Sequence, residues 1–289
     1  MKTLAGVTLL AVLLLPLTAY NSVEASTWMQ THSEAVNLKQ QGDWAEALRA
    51  ARLSLKKAEQ SFGRNSLNAS KSHILLGELY AQRGKYPSAE IHFLKGIRIR
   101  NELFGPNHVS AIKPLTSLAE SYANQGKLEL AHEFFGRALH DGQDADDPRT
   151  AGALLGLAAL KAREGKHEDS VALFTKAFRL CDNSRKYGDS LCLVAVRSLV
   201  GRSAAYMAQG EFWRAASSYE KALELLESKK RADGLLMYSV LKGLGDAYQS
   251  AGSATLASNY YRRAIAARAS ESDPMVVMVS SYPNMQTAK

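Results

Sequence analysis

Cysteine is almost missing from this chain: Cys181 and Cys192 are the only two in 289 residues. That is too few for the disulfide framework that holds small secreted domains together. Long apolar runs are missing after the first twenty residues, so nothing later reads as a membrane span. Catalytic signatures are missing too. No nucleophile elbow or Walker sequence occurs. "HEFFG" at 132–136 lacks the second histidine of a zincin, and the seven histidines are scattered. Gly243-Leu244-Gly245 has no strand before it and no third glycine, as a nucleotide loop requires. Asp141, Asp144, Asp146 and Asp147 lack EF-hand spacing and a closing glutamate, and read as a solvated turn capping the next helix. The formal net charge of +8 is spread thinly, without a basic stripe or stacking aromatics. The expectations are therefore no catalytic activity, no metal, no cofactor, no small-molecule substrate and no nucleic acid.

What is present begins with the N-terminus. Lys2 precedes an apolar run from Leu4 to Tyr20, and Val23-Glu24-Ala25 supplies small residues at a cleavage point. Residues 1–25 read as a secretory signal peptide cut after Ala25, with Pro16 interrupting the run. An uncleaved anchor is the alternative, and the only expected route to a membrane. No cysteine follows the run, which argues against a lipoprotein.

The dominant feature is a repeat. Gly42, Gly84, Gly126, Gly165, Gly210 and Gly252 share one frame, in "QQGDWAEAL", "QRGKYPSAE", "NQGKLELAH", "REGKHEDSV", "AQGEFWRAA" and "SAGSATLAS". Their spacings are 42, 42, 39, 45 and 42 residues. In the third copy Leu115, Leu118, Ala119 and Tyr122 form one helical face before the glycine. Ala131, Phe135, Ala138 and Leu139 form another after it. Glycine supplies the left-handed backbone that ends the first helix, and Ala119 and Ala131 allow close approach. Each copy reads as an antiparallel helix pair whose apolar stripes need neighbours, and six copies exceed the roughly three needed for stability.

The pattern resembles the tetratricopeptide repeat. The second copy gives Leu76-Gly77, Tyr80, Gly84, Tyr86, Ala89 and Phe93. The fifth gives Leu199, Tyr206, Gly210, Phe212, Ala215, Tyr219 and Ala222, and the sixth gives Leu244-Gly245, Tyr248, Gly252, Ala257, Tyr261 and Ala264. The first copy keeps Ala35, Gly42, Trp44 and Ala47 but has Ala51 where an aromatic is expected. The fourth keeps Gly165 but has Lys161 and Ser170 at two consensus places. The resemblance implies an all-α, right-handed superhelical solenoid over residues 26–271, with six units at about 28–61, 70–103, 112–145, 151–184, 196–229 and 238–271. "FGRNSLNASK" (62–71) and "FGPNHVSAIK" (104–113) hold the extra length, with Gly63 and Gly105 ending second helices and Asn65 and Asn107 capping the next first helices. These long units are similar to those of the kinesin light chain.

Cys181 and Cys192 bracket a polar loop between the fourth and fifth units. In an oxidising compartment a disulfide there is expected over two separate buried thiols. The tail, 272–289, breaks the repeat at Pro274 and is expected to be flexible, with a donated strand and a self-ligand as the competing readings.

The face that stacking leaves unused carries the functional expectation. Lys71 and Glu78 lie within about 20° of each other around the helix, and Lys113 and Glu120 repeat the pair one unit later. Gln82, Asn124, Arg163, Arg197, Lys242, Asp246 and Gln249 share that surface. Through the middle of the chain it turns apolar, at Leu155, Ala159, Val200, Ala204 and Met207, which predicts an apolar or helical partner segment there. The resemblance makes this surface a concave groove for a protein or peptide. The family's terminal-carboxylate clamp is not evident, since His32 and Val36 stand at its places. Its asparagine ladder is absent too, the places being Ser33, Leu75, Ser117, Gly156, Gly201 and Gly243. The expected function is an exported scaffold, periplasmic or extracellular and bacterial. It would be an adaptor in envelope or secretion-system assembly; the alternative is a non-catalytic recognition module serving an enzyme on another chain. Partner identity and oligomeric state stay open.

Overall fold

The computed structural model describes residues 17–142, 147–182, 189–228 and 234–269, with side chains from Thr27 to Arg268 and not for residues 189–192. Among them are twelve α-helices and no strand. They are α1 (Leu17–Gln41), α2 (Trp44–Phe62), α3 (Leu67–Gln82), α4 (Tyr86–Phe104), α5 (Ile112–Asn124) and α6 (Leu128–His140), followed by α7 (Ala151–Arg163), α8 (His167–Asp182), α9 (Asp189–Ala208), α10 (Phe212–Ser228), α11 (Gly234–Ser250) and α12 (Ala254–Ala269). The chain divides into two compact units, residues 1–156 and 157–289, with the division inside α7. The all-helical expectation holds. The tail falls outside the described residues, as do Asp144 and Asp146.

The six repeat glycines make six copies of one turn. All have positive φ: 85° at Gly42, 68° at Gly84, 75° at Gly126, 77° at Gly165, 76° at Gly210 and 82° at Gly252. In each, the glycine N–H donates to the carbonyl three residues back, from 2.9 Å for Gly84 to Ala81, through 3.0 Å for Gly165 to Ala162, to 3.3 Å for Gly42 to Lys39. The next residue's N–H donates five back: Asp43 to Leu38, Lys85 to Tyr80, Lys127 to Tyr122, Lys166 to Lys161, Glu211 to Tyr206 and Ser253 to Tyr248, all at 2.8–3.0 Å. This paired bonding satisfies the last carbonyls of the helix and reverses the chain. The turn at Gly165 is as regular as the others, although the fourth copy departs most from the consensus around it. An L side chain at these glycines would be strained, while the space around them is open.

In residues 1–156, α1 packs on α2, α3 on α4 and α5 on α6, and α2 meets α3 and α4 meets α5. Small residues allow this. Ala35, Ala47 and Ala51 are fully buried against Leu76 and Leu79. Phe93 and Phe135, almost fully buried, stand where the repeat calls for an aromatic; each such burial contributes about 1.5–3 kcal/mol. Gly63 and Gly105 do end α2 and α4, with φ of 85° and 88°. Capping of the next helix differs from the expectation by one residue. Ser66, not Asn65, accepts from Ala69 N at 3.1 Å. His108, not Asn107, caps the short 3-10 turn at Val109–Ala111 that leads into α5. Asn107 instead takes a positive φ of 61°, which asparagine tolerates better than most residues. Arg100 ties the longer connection down, bonding Ser110 O at 2.7 Å and Ser70 Oγ at 3.0 Å.

In residues 157–289, α8 packs on α9, α9 on α10, α10 on α11 and α11 on α12. Val196, Leu199, Leu244 and Val240 are fully buried, with Ala177, Ala215, Ala222 and Ala257 supplying the close approaches. Gly243 and Gly245 lie inside α11, which removes any nucleotide-loop reading. Cys181 is buried at the end of α8. The side chain of Cys192, in α9, lies outside the described residues, and with it the expected bridge.

Candidate functional site: the free faces of the first helices

All the expected surface positions sit on first helices, and none is consumed by the core. Lys71, Gln82, Lys113, Glu120, Asn124, Arg163, Arg197, Lys242 and Gln249 are exposed; Glu78, Leu155, Val200, Met207 and Asp246 are partly so. The turn glycines, from Gly42 through Gly165 to Gly252, offer a partner no side chain and serve the hairpin bends alone. How the surface side chains are joined is not something the sequence spacing specified. Lys71 and Glu78, seven residues apart on one helix, do not pair with each other. Glu78 of α3 instead holds Lys39 of α1 through one carboxylate oxygen and Lys113 of α5 through the other, the latter at 3.2 Å. Three successive first helices are thus tied by one carboxylate. Burial pushes the Glu78 carboxyl up, but Lys113 and Lys39 together outweigh it and hold it below the usual carboxylate range. Lys39 was missed because it lies one step around the helix from the repeat's surface register.

Lys71 leans back over the Trp28 ring, its ammonium 5.8 Å from the centroid. Trp28 is itself fixed by a buried polar chain. Its indole N–H donates to Ser72 Oγ at 3.1 Å, Ser72 meets Ser54 Oγ at 2.8 Å, and Ser54 meets His32 Nδ1 at 3.3 Å. Desolvation first, and Lys71 second, lower the His32 pKa and favour the neutral ring. In α11, Asp246 accepts from Lys242 at 2.7 Å and from Tyr261 Oη at 2.9 Å.

At three of its six places the missing asparagine ladder has a steric cause. A Cβ on Gly156 would stand 2.4 Å from the Phe135 ring; on Gly201, 2.4 Å from Phe174; on Gly243, 2.4 Å from Tyr219. At these places the aromatic of the preceding second helix reaches under the first helix. Only glycine fits above it. Where the ladder place keeps a side chain, the ring finds its glycine elsewhere: Phe93 lies under Gly77 of its own hairpin.

The histidines are not all scattered. His73 and His92 meet Nδ1 to Nδ1 at 2.9 Å across α3 and α4, and Tyr80 stacks on His92. Burial first, then the charges of His92, Lys95 and Arg98, push His73 down to about 4. Burial, Lys95 and Arg52 do the same to His92. Among the described residues no three His, Cys, Asp or Glu side chains gather as a metal site requires. Asp147 is the one aspartate of its loop seen to cap, accepting from Arg149 N at 2.8 Å.

The family profile of the tetratricopeptide repeat matches residues 28–102 and 149–228, more than half of the chain. The chain belongs to the tetratricopeptide repeat family. Its fold is that of BtubC (BKLC) from P. vanneervenii, at 18% identity and a TM-score of 0.64, covering 87% of this chain and 95% of that one. A kinesin light chain-like protein of Podosopora anserina with nearly identical TPR-like repeats is similar over 69% of this chain and 94% of its own, at 20% identity and TM-score 0.56. Aspartyl phosphate phosphatase F from Bacillus subtilis is similar over 78% and 57%, at 14% and 0.60. None of the curated proteins compared matches the chain. The repeat fold is a scaffold typical of protein–protein interaction, and proteins of this family bind protein or peptide partners.

Proposed function

We propose that this chain is an exported scaffold that holds a protein or peptide partner on the free faces of its first helices, as an adaptor in envelope or secretion-system assembly. The observation that carries the reading is the state of those faces. Their side chains stay in solvent while the opposite faces of the same helices are buried, and in α1, α3 and α5 they are pre-ordered by Glu78 and Trp28. Side chains fixed before binding lose less entropy on binding. The scaffold brings no chemistry of its own and takes no nucleic acid. Its long units are of the kinesin light chain kind.

Export is supported by the N-terminal sequence, and Trp28, already a core residue, stands three positions after the proposed cut. Among the described residues no helix is long and apolar enough to cross a membrane. Leu155 in the first unit, and Val200 and Met207 in the second, are positions that suit apolar or helical parts of the partner. Two measurements test this. Protein recovered from the envelope of its source cell should begin at Ser26 by intact mass. The Leu155→Asp, Val200→Asp double variant, still helical, should lose the partner that co-purifies with the parent; retention of that partner would refute the placement.

A further inference from the structure

We propose that the free face of α1, α3 and α5 takes an extended acidic segment of a partner protein, with Lys71 and Lys113 as the two carboxylate contacts. This deepens, and rests on, the reading that these faces hold a partner. The argument is one of accessible charge. Glu78 is only 14% exposed and both its oxygens are occupied, whereas Lys113, one of the two lysines upon it, is 78% exposed. The anion is therefore covered and the cation faces outward. Lys71 is exposed as well, and the Trp28 ring beneath it orients the ammonium without neutralising it. Gln82 and Asn124 add exposed amides able to bond a peptide backbone. Glu120 is the opposing carboxylate of this face, on α5 at the place Glu78 holds on α3.

Register points the same way. Met29, Lys71 and Lys113 recur at a step of 42 residues, so they hold one position on three successive first helices. Lys71 leans back toward α1, over the Trp28 ring, and Lys113 back toward α3, onto Glu78, so each reaches the preceding first helix, though at a different place along it. Neighbouring helices pack about 10 Å apart, which an extended chain crosses in roughly three residues. The segment that fits has acidic side chains three apart. Met29, 60% exposed at the α1 end, offers an apolar contact beside them. This is a different site from the family's terminal-carboxylate clamp, at whose places stand His32, neutral and half-buried, and Val36.

The test uses the chain from Ser26 to Lys289 and fluorescein-labelled nine-residue peptides, followed by anisotropy. One peptide has glutamate at every third position among glycine and alanine; two others have glutamine or lysine there. The glutamate peptide should bind at least about tenfold tighter than the glutamine peptide, the lysine peptide should not bind, and raising salt should weaken the contact. Lys71→Gln with Lys113→Gln should cost about tenfold, while Arg49→Gln, on the exposed face of α2, should change nothing; circular dichroism melts confirm that the variants fold. Equal affinity for the glutamate and glutamine peptides, no binding of the glutamate peptide, or an unchanged double variant would each overturn the proposal. Should the glutamate peptide fail while partner capture still depends on Leu155 and Val200, the acidic class is wrong and the scaffold reading stands. Should both fail, the scaffold reading falls as well.

Discussion

The two compact units share one turn and one packing rule, yet they dress their free surfaces differently. In residues 1–156, the first helices α1, α3 and α5 carry long polar side chains tied to one another by Glu78 and steadied by Trp28. In residues 157–289, α9 presents Arg197, Val200, Gly201, Ala204 and Met207, and two ring-filled spaces demand glycine in the first helices, at Gly201 and Gly243. The difference shows that where a second helix carries the buried aromatic, as α4, α6, α8 and α10 do, that ring decides what the neighbouring first helix can display. Where it leans under its own hairpin, as Phe93 does, the ladder place can keep a side chain. Where it leans under the next, as Phe174 and Tyr219 do, the floor becomes bare backbone.

The sharpest way to break that comparison is to add a methyl group to the floor. Gly201→Ala puts a Cβ 2.4 Å from a Phe174 ring that is only 4% exposed, so the ring has nowhere to go. It should destabilise by about 1–3 kcal/mol, and Phe174→Leu in the same chain should recover part of the loss. Gly136→Ala, on α6 with nothing within 4 Å, should instead stabilise slightly through helix propensity. Thermal melts of the three variants decide it; equal melting temperatures would break the account of the glycines.

A second difference is acid sensitivity. His73 and His92 lie in residues 1–156, and both are held at about 4 against an ordinary 6.5. Between pH 6.5 and 4 the unfolded state binds more protons, so stability is full above pH 6.5 and falls as pH drops toward 4. With partial solvent access the loss should be about 2 kcal/mol for the pair. Urea titrations at pH 7 and pH 5 should show it, and His92→Gln should remove about half of the slope, since burial alone still holds His73 down. An unchanged slope would mean the pair is not neutral.

The turns should not differ between the units. Gly42→Ala in the first and Gly165→Ala in the second, at φ of 85° and 77°, should each cost about 1 kcal/mol, alike within error by thermal melts. The smallest effect belongs to Lys113→Met, which removes the outer, 78% exposed lysine while Lys39 stays on Glu78, and should cost about 1 kcal/mol, falling in salt.

These cases also show what could be read in advance. The six turns were legible because a left-handed residue is a strictly local demand that glycine meets, and its spacing shows in the letters. Gly165 could be placed by that spacing even where the neighbouring consensus residues fail. Helix caps came out one residue early, at Asn65 and Asn107 instead of Ser66 and His108, because several capping residues stand in a row and only backbone geometry chooses among them. The absence of the asparagine ladder was visible, but its cause was not, since Gly201 and Phe174 are 27 residues apart and meet only after packing. The His73–His92 pair was hidden for the same reason. The surface positions themselves were legible because helical register alone places them.

The central claim is that first-helix faces, and not the outer second-helix faces, hold the partner. A photo-crosslinking amino acid placed singly at Gln82, Met207, Ile91 and Trp213 tests it, with irradiation of cells that make the protein at its natural level. The account predicts one discrete adduct from Gln82 and Met207 and none from Ile91 and Trp213. Adducts from Ile91 or Trp213 with none from the first helices would contradict it.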